Sequence, residues 1–290
     1  MEYYKEDTEK TGYLEQSYRL FHLKDQIERK FTYHYHDFHK VVVFLSGKAV
    51  YHIEGKSYCL KPWDILLVDH HAIHKPEIDA SVPYERFILW IRDDLPQREL
   101  TKCFQKSSDR SFNLIRLDAR MQERLKQILY ELESALKEDK FGSAMLADAL
   151  FAQFMVYIGR IFLEKQYILD DNSYTCDSQI QQLLRYINQN LATDLSIETL
   201  ARKYYMSKYH MMRKFKEETG YTLHSYIVNK RLLMARSLIS QGTPVIKAAQ
   251  ASGFTDYTTF SRAYKKQFGA SPSTGREKGD FLSGPASIQE

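Results

Sequence analysis

At 290 residues the chain is long enough for two domains, each with its own core. Apolar and charged fractions of 43% and 27% exclude a disordered or fibrous protein, and no unbroken apolar run approaches the ~18 residues of a membrane span. The net charge of +4 is unevenly placed: residues 178–278 hold 16 Lys/Arg against 6 Asp/Glu, a net of +10, and the rest holds 25 against 31, a net of −6.

The first thirty residues are a polar lead-in with one strand expected around Tyr18 to Leu23. Met1 to Lys10 carry no apolar signal region. Cys59, Cys103 and Cys176 lack metal or redox spacing. They read as free thiols, which points to the cytoplasm. From Phe31 to Ile91 strand follows strand: Val41 to Leu45 closed by Ser46-Gly47, Ala49 to Ile53, a Glu54-Gly55-Lys56 turn, Ser57 to Leu60, a Pro62-Trp63-Asp64 turn, then Ile65 to Val68. Short strands with this punctuation predict a sandwich or small barrel.

The period changes after Leu117. Met121, Leu125, Ile128, Leu129, Leu132 and Leu136 recur at helical spacing. A second helix is expected over 143–166, with an apolar face wide enough to need cover on more than one side. Packing inside the subunit and pairing with another subunit are both open for it. Asp170 to Asp177 reads as a linker, and the Gly/Ser/Pro-containing tail from Gly279 as disordered.

The basic third repeats itself. Arg213, Phe215-Lys216, Gly220 and Thr222 recur 49 residues later as Arg262, Tyr264-Lys265, Gly269 and Ser271, and Leu200-Ala201 recurs 48 residues later as Ala248-Ala249. Ser196, Ser207 and Asp256 can cap helices; Gly220, Gly242 and Gly269 can end them; Thr243-Pro244 offers a cap followed by proline at the first helical position. Two helix-turn-helix units follow, with reading helices at about 208–219 and 257–268 joined by a helix at 224–241. An 18-residue connector spans about 27 Å, which suits reading heads about one DNA turn (~34 Å) apart. Met211, Phe215, Phe260 and Tyr264 should face the core. Lys208, Tyr209, Met212, Arg213 and Lys216 on the first helix, and Tyr257, Thr258, Thr259, Arg262 and Lys266 on the second, are left to face DNA. Arg can read guanine bidentately, Thr can meet a thymine methyl, and Lys can hold phosphate. For Arg213 and Arg262 an ion pair or a phosphate contact is the competing reading.

This region resembles the AraC/XylS family of bacterial transcription regulators. The resemblance is strongest in Ile246-x-x-Ala249-x-x-x-Gly253-Phe254-x-Asp256-x-x-x-Phe260-x-Arg262-x-Tyr264-Lys265-x-x-x-Gly269-x-Ser271-Pro272. The family usually has Phe where Tyr264 stands, Pro where Leu223 stands, and a Tyr-Arg pair where this chain has Gly275-Arg276; none of these positions faces the groove. His34-Tyr35-His36 then resembles the opening of a cupin barrel, the sensor domain of this family. Metal-binding cupins add a Glu and a distant His. Here Lys40 stands at the Glu position and His74 is the distant His, and an ammonium group where a cation should sit argues against a metal. Alternation along a strand would let His34 and His36 converge. Three roles are open for these histidines: structural, metal-binding with His74, or a ligand pocket in which His36, Lys40, His74 and Trp90 meet a polar effector. Lys40 would suit a carboxylate or a sugar acid. Trp63 and Trp90 can stack on a sugar or fill the core, and His70-His71 reads as a solvated loop.

The fold expected is α+β in two domains: a cupin-like jelly-roll barrel over 1–117 with helices over 118–169 serving dimerisation, a linker over 170–177, and an all-α tandem helix-turn-helix domain over 178–278. No nucleophile elbow and no phosphate-binding glycine motif stands in the sequence, so neither an enzyme nor a cofactor is expected. The resemblance implies a dimeric, effector-responsive regulator that binds operator DNA, meets RNA polymerase if it activates, and takes a sugar or sugar derivative in the barrel. Two alternatives stand beside it: a metal-dependent cupin enzyme, and a constitutive DNA-binding regulator whose barrel senses nothing.

Overall fold

A computed structural model describes residues 14, 16–26, 31, 33–36, 38–167 and 174–273. They divide into two compact units that meet in sequence between Cys176 and Asp177. The expected tail and half of the expected linker, residues 170–173, lie outside the described residues.

The first unit is built on nine described strands: β1 (Tyr18–Asp25), β2 (Phe38–Ser46), β3 (Ala49–Ile53), β4 (Lys56–Cys59), β5 (Ile65–Val68), β6 (His74–Ile78), β7 (Tyr84–Arg92), β8 (Leu114–Ile115) and β9 (Tyr174–Cys176). They pair antiparallel in two sheets, ordered β1-β7-β2-β5-β8 and β6-β3-β4-β9. The apolar run in β2 is continuous because both of its faces are buried. Val42, Leu66 and Val68 of the larger sheet meet Tyr51, Ile53 and Tyr58 of the smaller one. Val41, Val43, Leu67, Phe87 and Leu89 face the other way, into a layer of helices.

That layer holds α1 (Lys102–Arg110), α2 (Ala119–Lys137) and α3 (Ser143–Leu163). Asp118 caps α2 by accepting from the Met121 N–H at 2.8 Å. α3 is long and apolar enough to cross a membrane by length and composition. Eight of its residues, among them Phe151, Phe154, Met155 and Phe162, are nevertheless packed into the core of this unit, as a core helix would be. Its other side keeps Met145, Leu146 and Val156 exposed.

Three expectations change here. Tyr174–Cys176, read as linker, form a strand on β4, with Ser57 opposite Thr175. The linker composition is polar, but an edge strand needs only backbone groups to pair. His34-Tyr35-His36 is not a strand; His34 makes an isolated bridge to His74, with reciprocal N–H···O bonds of 3.0 and 2.9 Å. α1 had no counterpart in the reading, since its nine residues carry only two large apolar positions, Cys103 and Phe104, in the core.

The second unit is helical: α4 (Ser178–Gln189), α5 (Ile197–Lys203), α6 (Lys208–Thr219), α7 (Leu223–Ser240), α8 (Val245–Ala251) and α9 (Tyr257–Phe268). The cap side chains of Ser196, Ser207 and Asp256 accept from N–H groups of the first turns. Gly220 and Gly269 end α6 and α9 at φ 75° and 72°, the left-handed conformation a Cβ disfavours. Thr222 caps α7, so Leu223 occupies the first helical position, where proline is also well tolerated. Thr243 does not cap: Pro244 itself occupies the cap position of α8, so the helix starts one residue later than expected, without a side-chain bond at the cap. Aromatic packing closes the core through Phe215 on Tyr226 (5.3 Å), Phe254 on Phe260 (5.1 Å) and Tyr264 on Phe268 (4.6 Å).

Candidate nucleic-acid interface and ligand box

α6 and α9 turn one face inward. Met211, Phe215 and Thr219 are buried on α6, and Phe260, Tyr264 and Phe268 on α9. The i, i+4 spacing that puts those side chains in the core puts the rest outside. Lys208, Tyr209, Met212, Arg213, Lys216, Tyr257, Thr258, Thr259, Arg262 and Lys266 are all exposed.

Their surroundings differ. Lys208 pairs with Glu198 of α5, holding that carboxylate below its usual range. Arg213 Nη1 lies 3.4 Å from Glu217 one turn on, an exposed pair of small energetic weight. No ion pair engages Arg262 among the described residues. The Asp256 carboxylate, bonded to Thr259, orders the three residues that start α9. Three features were missed by the sequence reading: exposed Arg202 and Lys203 at the end of α5, and Tyr205 in the turn, almost fully exposed at φ 52°. A turn residue aligned with Gly253 was the available signal for the last.

Inside the barrel a second constellation forms. Lys40 on β2 and Trp90 on β7 are cross-strand neighbours. Lys40 Nζ lies 5.7 Å from the Tyr51 ring centroid, and among the described residues no carboxylate pairs with it. Burial, together with the nearby Arg86 guanidinium, pulls Lys40 down to about 7. His74 is held well below the usual imidazole range by burial first and by Lys40 second, so it is neutral. Its Nδ1 lies 2.9 Å from the Ala72 carbonyl, which places the proton there and leaves Nε2 as a lone pair. Among the described residues, that Nε2 and the Trp90 Nε1–H are both buried without a hydrogen-bond partner. His34 and His36 stand within 4.4 and 5.2 Å of the His74 ring, and Phe38 stacks on His36 at 4.6 Å.

The structure therefore brings His36, Lys40, His74 and Trp90 together, although not by the expected strand alternation at His34-Tyr35-His36. His34, His36 and His74 each bring a ring nitrogen into one cluster. Trp63 is elsewhere: it packs against the helix-side core, with Lys126 Nζ 5.9 Å from its ring. Tyr51 and Arg86 belong to the box and were not anticipated. Arg86 is buried and bonded to Asp25 at 2.6 Å. A charge at an inward position of the alternating strand Tyr84–Arg92 was the signal for it.

Residues 200–278 match a family model described as a helix-turn-helix domain, and residues 19–155 match the AraC-like ligand binding domain. The chain belongs to the AraC/XylS family. It is 24% identical over 256 residues to the HTH-type transcriptional activator RhaS of Citrobacter koseri, covering 87% of this chain and 90% of that protein. To the probable transcriptional regulator LumQ of Photobacterium leiognathi it is 24% identical over 249 residues, covering 86% and 93%. Among solved structures, ToxT from Vibrio cholerae aligns at 15% identity and a TM-score of 0.35, covering 93% of this chain and all of that one. This AraC/XylS chain is thus a transcription regulator with a ligand-binding domain and a DNA-binding domain, and not a cupin enzyme.

The remaining histidines of this regulator correct one more expectation. His70 is not a solvated loop residue. Its Nδ1 lies 3.0 Å from Asp69 Oδ1, and its ring packs edge-on against His39 at 4.8 Å. His39, stacked on Phe104 of α1 at 4.4 Å, is buried on the helix-facing side of the larger sheet, opposite to the box.

Proposed function

We propose that this regulator binds operator DNA as a homodimer and changes its grip when a small polar effector, a sugar or sugar derivative, occupies the barrel. The observation that carries the reading is the box: among the described residues, a buried Lys40 amino group stands without an anion beside two buried polar atoms without partners. Unsatisfied buried groups cost free energy and call for a partner. A sugar acid supplies one to each, its carboxylate to Lys40 and a hydroxyl proton to His74 Nε2, with Trp90 Nε1–H donating to a further oxygen and His36 flanking. Arg213 and Arg262 read base edges, Thr258 and Thr259 and the ring of Tyr257 meet bases early in α9, Tyr209 and Met212 line the first groove, and Lys208, Lys216 and Lys266 hold phosphate.

The exposed side of α3 with Leu136 of α2 supplies an apolar face for the second subunit. Effector binding shifts the operator-bound arrangement only as far as it favours one arrangement over the other. RhaS is described as an activator; on that precedent RNA polymerase is a further partner, with the cytoplasm as the place of action.

The test is binding of the purified protein to its own upstream intergenic DNA at two salt concentrations with competitor DNA, then with sugars and their acids. A specific complex that weakens steeply with salt is expected, and its affinity should shift with an acid more than with the parent sugar. Specific DNA binding indifferent to every such compound would favour the constitutive reading.

A further inference from the structure

We infer that His39, Asp69 and His70 form a binding site for a divalent transition metal of the zinc class, outside the ligand box. Asp69 Oδ1 lies 2.9 Å from His39 Nδ1 and 3.0 Å from His70 Nδ1, so one carboxylate oxygen and two imidazole nitrogens converge. Zn²⁺ with bonds of about 2.0–2.1 Å holds its tetrahedral ligand atoms about 3.3 Å apart. The three ligand atoms lie within 4.8 Å of one another, and side-chain adjustment brings them to that spacing. Three protein ligands leave a fourth position for water.

The supporting contacts fit the same reading. His39 Nε2 lies 3.1 Å from Asp93 Oδ1, and Asp69 Oδ2 accepts from Ser108 Oγ at 2.7 Å. Such partners fix the orientation of a ligating imidazole and carboxylate. Asp93 Oδ1 is also 3.8 Å from His70 Nδ1 and is half exposed, which leaves a route in from solvent. The His70 main-chain N–H donates to His39 Nδ1 at 3.2 Å, which marks a lone pair on that nitrogen that a metal would take over.

Charge decides between this cluster and the histidines of the box. His34, His36 and His74 stand beside the buried ammonium of Lys40, which repels a cation. His39 and His70 stand beside two carboxylates, whose charge a divalent ion neutralises. The ion would tie the turn between β5 and β6 to β2, under α1.

The experiment uses the full chain, stripped with chelator and titrated with Co²⁺ and then Zn²⁺. One Co²⁺ per chain with visible tetrahedral bands is expected, displaced by Zn²⁺. Ser108→Ala should weaken binding about tenfold and His70→Ala about a hundredfold or more, while His74→Ala leaves it intact. Operator binding and thermal unfolding of each variant confirm that it folds. Absence of a saturable equivalent, which would mean that protons alone bridge the cluster, overturns the proposal. So does a site lost in His74→Ala and kept in His70→Ala.

Discussion

Arg231 Nε lies 2.8 Å from the point a Cβ on Gly253 would occupy, and donates at 2.8 Å to the Leu191 carbonyl, itself 2.3 Å from that point. Arg231 Nη2 also bonds the Thr193 carbonyl at 2.8 Å. One arginine on α7 thus holds the loop after α4, the turn of the second helix-turn-helix unit packs against both, and only a residue without a Cβ leaves them room. Gly253 adds φ 89°, a conformation other residues resist. Gly253→Ala should destabilise the DNA-binding unit by about 2–4 kcal/mol, read as a lower denaturant midpoint. An unchanged midpoint would mean the arginine moves aside without cost.

Arg262 should carry sequence information rather than stability. Arg262→Ala is expected to weaken specific operator binding by about 1–3 kcal/mol and relax one base preference, with thermal unfolding unchanged. A uniform loss across all sequences, with a smaller salt slope, would make it a phosphate contact instead.

Lys40 sets stability against function. Replacing a buried, unpaired ammonium by a side chain of similar volume removes a desolvation penalty. Lys40→Met should therefore stabilise the barrel by about 1–3 kcal/mol and abolish the response to an acidic effector. Loss of stability with an intact response would show that the ammonium serves the fold.

Met145 and Leu146 are 79% and 54% exposed on a helix whose other side is core, which fits a subunit contact. The parent should sediment as a dimer and a Met145→Glu/Leu146→Glu double variant as a folded monomer. The same dimer in both would place the contact elsewhere.

Asp256 caps α9 by accepting from the Thr259 N–H at 2.6 Å. Asp256→Ala should cost about 1 kcal/mol of stability and loosen the first turn of α9, which bears Tyr257, Thr258 and Thr259. Operator affinity should fall by more than the change at an exposed residue off α9, such as Lys247→Ala.

Where structure depends on neighbours along the chain, the sequence by itself determined it. The bounds of α6 and α9 follow from Ser207, Asp256, Gly220 and Gly269, because caps and left-handed stops act within one helical turn. The same holds for β3 and β5, bracketed by turns, and for the exposed set on each reading helix, which is what remains after Met211, Phe215, Phe260 and Tyr264 are buried. Thr243 marks the limit of such reasoning: a good cap residue was passed over for Pro244, one residue on.

Where structure depends on distant pairing, only the tertiary structure decided it. Lys40, Tyr51, His74 and Trp90 come from four strands, and their shared interior follows from the register of β2 on β7 and of β3 on β6. His39 and Lys40 are adjacent in sequence, yet pleating sends one to the helix layer and the other into the barrel. Tyr174–Cys176 look like linker until β4 offers an edge to pair with. Partners supplied from across the fold, by backbone bonds and by exclusion of water, leave no periodic trace in the segments that receive them.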